Sequence, residues 1–408
     1  MKQSIILSTV ASALVFTAVS AQAAGFQLSE YSASGMGRSF AGAGVVGDDF
    51  SAIGFNPAGM SLNKTSGVQA GVSMVSLHSD YKGDNGYGQV GEGHTRITRL
   101  LPNGFMQYKL NDKATVGFGA YVPFGLATDY KNDWFGEMHG GLSHVSAANY
   151  SPAFSYQIND MISVGGALNF ELIDARLTSK EDMISKNLRG DDWGVGYTLG
   201  LTVQPMKNLR LGASYRSKIS HTLEGTVKLT TPLGSKGKHG INAKITLPET
   251  ALFSGSYDVN DQWTVSASAR WTRWSRFKDL DVRTTGNTIA PAGSPISLTH
   301  EHWKNTWFYA LGADYKMNKN WTLRLGTAYD QTVVKSPEYR TARIPDGRRV
   351  WASFGASYTK GNIQVDAGYA HLFLHGGKVN GGEEGKAKPD MKYSSDAEML
   401  SLSVQYKF

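Results

Sequence analysis

The 408-residue sequence contains no cysteine, which removes disulfides, thiolate metal ligands and thiol nucleophiles from consideration. It is also poor in charge, with 18% Asp, Glu, Lys and Arg, and its net charge of +7 is spread along the chain without a basic cluster. A surplus so dispersed is no nucleic-acid footprint, and no nucleic-acid partner is expected. Long hydrophobic runs are scarce as well. One apolar stretch, Ile5 to Val19, follows Lys2 and precedes Ala21-Gln22-Ala23. This is the charge, core and small-residue pattern of an export signal, here occupying residues 1–23. Beyond it no segment reaches the roughly 20 apolar residues that a membrane helix needs, which excludes a helical membrane protein.

What the chain does have is glycine and aromatics: 47 Gly, 19 Tyr, 17 Phe and 9 Trp, a blend suited to strands with one apolar face. From about Ser66 onward apolar and polar residues alternate with period 2. Leu400, Leu402, Val404, Tyr406 and Phe408 share one face, and Ser401, Ser403, Gln405 and Lys407 the other. The same division separates Trp321, Leu323, Leu325 and Tyr329 from Thr322 and Arg324, and Trp263 and Val265 from Thr264 and Ser266.

A soluble sandwich alternates too, so the connections decide. Short turns near 111–113, 159–160, 205–208, 260–261, 318–320 and 360–362 alternate with longer stretches near 80–95, 127–144, 179–190, 230–240, 282–300, 333–348 and 376–396. Six short and seven long connections delimit fourteen strands. Short turns at one end and long loops at the other mark an outer-membrane barrel, whose closure satisfies the backbone groups that lipid cannot hydrate. The fold class expected is all-β: a 14-stranded antiparallel transmembrane β-barrel over residues 66–408, monomeric, in contact with outer-membrane lipid and lipopolysaccharide. Trp263, Trp271, Trp303, Trp307, Trp321 and Trp351 fall near strand ends and are expected to form interfacial girdles.

Residues 24–65 lack the alternation and are rich in Gly, as expected of a hatch folded into the lumen. Gly42, Gly44 and Gly47 match the spacing of a dinucleotide-binding loop. No strand precedes them, no acidic residue follows at about 20 positions, and Asp48 and Asp49 would repel a pyrophosphate, so a nucleotide site is not expected. The glycines are better suited to tight turns and close packing.

With these residues in view the sequence resembles the FadL family of long-chain fatty acid and hydrocarbon transporters of the Gram-negative outer membrane. The resemblance runs through AGFQLSEYSASGMGRSFAGAG, DDFSAIGFNPA with Asn56-Pro57-Ala58, FGLATDY, the segment Leu247–Leu280, WTLRLGTAYD and IPDGRRVWASFGASY, and so spans the whole mature chain. It implies passive uptake: capture at the extracellular loops, passage past the N-terminal hatch with ligand contacts at Phe26 and Arg176, and sideways release beside a kink in the third strand. For that kink the residues themselves offer a cause. Pro123 cannot donate a ladder hydrogen bond and Gly125 permits a bulge, with Phe124 between them. A simple strand end at Pro123 is the competing arrangement.

Two departures stand out: the regions expected to form the family's outer groove, Ser179–Gly190 and Thr230–Gly240, are short, and basic residues for a carboxylate do not map cleanly. Arg210, Arg216, Lys218, Arg270 and Arg324, with Glu171, Asp174 and Asp366, are expected to face the lumen as an ion-pair network. His300 and His302 alternate near a loop with no carboxylate at ligand spacing, so neither a metal nor a cofactor is expected, and no serine motif suggests an enzyme. A general porin has no use for a Gly-rich hatch. That porin and an outer-membrane lipase are the two alternatives, with a surface protein used mainly in adhesion as a third.

Overall fold

The computed structural model describes residues 25–131, 133–181, 183–286 and 289–408, so the expected export signal lies outside the described residues. Fourteen strands close into one antiparallel barrel. Six are continuous: β1 (Gly67–Asp84), β2 (Val90–Lys109), β3 (Ala114–Asp129), β4 (Leu142–Gln157), β5 (Ile162–Glu181) and β6 (Ile184–Met206). Four are each broken once: β7 (Leu209–Arg216 and Ile219–Thr231), β8 (Gly234–Leu247 and Thr250–Asp258), β9 (Trp263–Thr272 and Asp279–Thr284) and β10 (Pro295–His300 and Thr306–Lys316). β11 (Trp321–Asp330), β12 (Arg348–Lys360), β13 (Ile363–His375) and β14 (Asp390–Lys407) complete the wall. The seam pairs β14 with β1 from Gly67 opposite Lys407 to Asp84 opposite Asp390.

Residue distribution is the inverse of a soluble protein. On β14, Leu400, Leu402, Val404, Tyr406 and Phe408 are exposed while Ser401, Ser403 and Gln405 are buried. The apolar face of each strand therefore meets lipid and the polar face lines the lumen, the arrangement the period-2 reading requires. Trp263 and Trp321 lie on the outer face beside Tyr315 and Tyr358, but Trp303 and Trp351 are buried and belong to no girdle.

All six short turns fall where expected. Three of the seven long connections do not: β1–β2, β5–β6 and β7–β8 continue as paired strands almost to the turn, with β7 ending at Thr231 and β8 starting at Gly234. Beyond the membrane the outer face of a strand meets water and not lipid, so it turns polar while the ladder continues and apolar residues such as Leu188, Val227 and Ile241 pack on the inner face. Ser179–Gly190 and Thr230–Gly240 are thus hairpin tips rather than short loops.

Residues 25–65 precede β1 and pack against inward-facing wall residues. They contain two short helices, α1 (Ala33–Gly37), capped by Ser32, and α2 (Ala52–Phe55), then a 3-10 turn, Pro57–Leu62, capped by Asn56. Helices this short do not persist alone, and here they rest on a shared core. Leu28, Tyr31, Met36, Phe40, Phe50, Ile53 and Met60 pack with Phe105, Tyr121, Trp351 and Met399 of the wall.

Charge adds a second tie. Arg38 bonds Asp48 at 2.8 Å and Asp314 at 3.3 Å, and Arg324 bonds Asp48 at 3.0 Å and Asp314 at 3.2 Å. Asp48 is therefore engaged by two guanidinium groups. Gly42, Gly44 and Gly47 adopt φ of 70°, 76° and 75°, the left-handed turns that only glycine enters freely. Of the expected lumen charges, Arg216 pairs with Glu171 at 2.7 Å, Arg210 with Asp258 at 2.7 Å, and Arg270 with Ser29, while Asp366 accepts from Gln364, Gln405, Ser357 and Ser403. Lys218 is exposed, and Asp174 is half-exposed, next to His144 and Arg189.

Candidate functional site

The third strand breaks at Pro123. β2 and β3 pair only from Gly104 opposite Ala120 to Lys109 opposite Thr115, and β3 then leaves its neighbour. On the other side, β3 keeps its pairing with β4 but shifts register: Tyr121 faces Asn149 and Phe124 faces Ala147. Val122 and Pro123 together oppose Ala148, which is a bulge with one residue too many. Pro123 lies inside the strand and does not end it.

A backbone that leaves its ladder inside a membrane needs other partners, and the N-terminal residues provide them. Leu28 N–H donates to the Pro123 carbonyl (2.8 Å), Gly125 N–H donates to the Phe26 carbonyl (2.6 Å), and Gln27 stands opposite Phe124 as an antiparallel bridge. Residues 120–128 of β3 are consequently buried without alternation, covered on both faces. Between Thr95, whose hydroxyl reaches the Asp129 carbonyl, and Gly104, β2 has no ladder partner on its β3 side. The ladder of the wall is interrupted there.

Asn56-Pro57-Ala58 is elsewhere, against β4 to β7. The Asn56 side-chain amide donates to the Leu201 carbonyl (3.0 Å) and its oxygen accepts from Ala58 N–H (3.2 Å). The wall is indented to receive this turn. A Cβ on Gly200 would lie 2.1 Å from Asn56 Oδ1, and one on Gly165 would lie 2.4 Å from Ala58 N. Residues 26–28, and not this motif, lie beside the kink.

Above Phe26 lies a narrow apolar cavity of about 70 Å³. Ile173 and Leu177 of β5, Leu188 of β6, Leu223 of β7, and Ile241 and Ile245 of β8 face it, with Leu126 of β3 and Phe277. Alternation along the extended hairpins puts their apolar residues on this inner side, so the stems of the hairpins, below their tips, line the cavity. Phe26, 1% exposed, forms the floor. Its ring centroid lies 4.8 Å from Trp274, 5.7 Å from Trp303, 5.8 Å from Phe277 and 6.2 Å from Phe124. Such edge contacts contribute about 0.5–1.5 kcal/mol each beyond burial.

The structure brings Phe26, Phe124 and Gly125 together. It does not bring Arg176 to them. Ala175 and Leu177 line the cavity, and Arg176 between them points outward and is exposed, as period 2 dictates. Two basic residues border the cavity: Arg189, which is exposed and lies 3.8 Å from Asp174, and Arg343, immediately before the motif beginning at Ile344. Arg343 is the buried one. It comes from the connection after β11 and donates to Ser143 Oγ (3.2 Å) and the Thr178 carbonyl (3.0 Å). No carboxylate pairs with it among the described residues. Burial pushes the guanidinium below its ordinary value, with Glu383 and Glu301 opposing the shift, and it stays protonated near neutral pH.

Trp274, Phe277 and Trp303 were also missed as site residues. Their signal was a loss of alternation: Arg273–Lys278 and Glu301–Asn305 interrupt β9 and β10 and turn aromatics inward.

A family model described as outer membrane protein transport protein (OMPP1/FadL/TodX) matches residues 14–408. The chain is 31% identical to a 47 kDa outer membrane protein of Pasteurella multocida, across 98% of this chain and 97% of that one. It is 28% identical to the long-chain fatty acid transport protein of Escherichia coli O6:H1, across 98% of each. Its fold is similar to the crystal structure of a Pseudomonas aeruginosa FadL homologue, with a TM-score of 0.85 and 25% identity, covering 94% of this chain and 100% of that one.

Proposed function

The chain belongs to the OMPP1/FadL/TodX family of outer membrane transport proteins, and from that membership we propose the cargo it carries and the route the cargo takes. It is an integral outer-membrane channel for hydrophobic molecules, in a family of transporters rather than enzymes. The cargo is a long-chain fatty acid. Supporting this are the apolar lining, which gains ~0.8 kcal/mol for each methylene removed from water, and Arg343, a buried cation without a carboxylate partner at the cavity wall. A fatty acid supplies both the chain and the missing carboxylate, through charge-assisted hydrogen bonds.

Residues 24–65 act as the hatch, and exit is lateral, through the unpaired stretch between β2 and β3. One observation carries this reading. Phe26 floors the cavity with its ring and holds the kinked strand with its carbonyl, so the residue at the end of the entry path also borders the exit. The cavity admits a chain end rather than a whole long-chain molecule, so passage requires the Phe26 ring to swing aside.

Replacing Pro123 and Gly125 together by valine restores a ladder donor and removes the bulge-permitting glycine, favouring β2–β3 closure. Uptake of labelled oleate in a deletion strain, at matched surface abundance, is expected to fall sharply. Undiminished uptake by the folded double variant rejects lateral release.

A further inference from the structure

At the long-loop end of the β9–β10 pair, Asp279, His300 and His302 converge. Their sequence spacing hides this, because ladder register rather than proximity along the chain brings Asp279 opposite His300. His300 Nδ1 lies 2.6 Å from Asp279 Oδ1, and His302 Nε2 lies 3.5 Å from the same oxygen. One ligand atom from each residue falls within 4.8 Å of the others. All three side chains are partly exposed, leaving room for water to complete a coordination sphere.

The surroundings orient both rings. His300 Nε2 is 3.6 Å from Glu384 Oε2, so when Nδ1 faces Asp279 the other nitrogen points to a second carboxylate, as in carboxylate–imidazole–metal arrangements. Glu384 is itself fixed, its N–H donating to the Leu298 carbonyl (2.7 Å). The His302 ring stacks on Tyr339 with centroids 5.3 Å apart and planes 7° apart. Its backbone is held at φ 43°, a left-handed conformation uncommon outside glycine, by an N–H bond to the Lys278 carbonyl (2.8 Å).

We propose that Asp279, His300 and His302 form a surface site for a divalent first-row transition metal, with zinc the best match. Two imidazoles and one carboxylate with solvent at the open position are a zinc donor set. Ligand atoms at tetrahedral zinc stand about 3.4 Å apart for bonds near 2.1 Å. The His302–Asp279 distance already meets this, and the His300–Asp279 distance needs to open by less than ~1 Å. A bound ion joins β9 to β10 just outside Phe277 and Trp303, two of the rings around Phe26, and so braces the wall of the apolar cavity.

The test is zinc titration by calorimetry, and cobalt(II) absorption, on detergent-purified full-length protein carrying no polyhistidine tag. Wild type is expected to bind one equivalent. His300→Ala, His302→Ala and Asp279→Asn should each weaken binding by about tenfold or more, with Glu384→Gln having a smaller effect. His239→Ala, at an exposed histidine near the β7–β8 tip, should leave binding unchanged. Heat-modifiable gel mobility verifies that each variant is folded. Absence of wild-type binding, or undiminished binding by a folded His300→Ala/His302→Ala double variant, overturns the site.

Discussion

Arg343 and Phe26 divide the site's work between polar and apolar recognition. If Arg343 holds a ligand carboxylate, Arg343→Ala should weaken oleate binding by about tenfold or more, since a charge-assisted hydrogen bond contributes roughly 1.5–3 kcal/mol. Binding of an uncharged aromatic hydrocarbon should change little. Ligand titration of the purified variant separates the two, and equal losses for both ligands count against a carboxylate contact. Phe26→Ala empties a fully buried position, and such truncations cost about 3–5 kcal/mol. That loss is local to the tail, so the barrel should stay heat-modifiable while proteolysis near the N-terminus accelerates. Phe26 was legible in the sequence through its motif. Arg343 was not, because its position at the cavity depends on a long connection folding back into the barrel mouth, where Tyr130 holds the Ala342 carbonyl at 2.6 Å.

Among elements, β3 shows why a bulge could be anticipated while its partners could not. Pro123 and Gly125 announce a defect in the ladder, but period 2 says nothing about which segment repairs it. Pro102 of β2 was a further unused signal, lying just beyond the last β2–β3 pair at Gly104. The fourteen strands and six short turns were readable because lipid enforces apolar alternation within the membrane. The hairpin tips were misjudged where that enforcement ends. The seat of Asn56-Pro57-Ala58 yields its own expectation. Gly200→Val forces the side chain into the space of Asn56 Oδ1, so the 3-10 turn must lift from the wall. Single-channel recordings in planar bilayers should show raised or flickering conductance, whereas a steady closed state would mean the turn has another seat.

For the whole molecule, stability divides between a wall satisfied by its own hydrogen bonds and a filling that depends on the wall. Deleting residues 24–60 should therefore leave a folded, heat-modifiable barrel that conducts ions far better than the full-length protein. If the truncated barrel inserts and conducts no better, these residues are not the hatch. Arg324→Ala tests the same division more gently by leaving Arg38 as the counter-charge shared by Asp314 and Asp48, a loss smaller than the ~3–5 kcal/mol of a buried charge left with no partner. The N-terminal segment should loosen, seen as faster amide exchange over residues 33–50, with the strands unchanged.

The seam between β1 and β14 sets an order on biogenesis. It is zipped along all 18 residues of β1, and the segment folded inside is covalently continuous with the first of those residues. Once the seam has formed, some forty residues carrying Arg38, Asp48 and the aromatic rings of Tyr31, Phe40 and Phe55 would have to thread into a barrel already closed. The lumen must accordingly be furnished while the sheet is still an open ribbon, so the earliest part of the chain to be exported waits, unhoused, for the last strand to arrive.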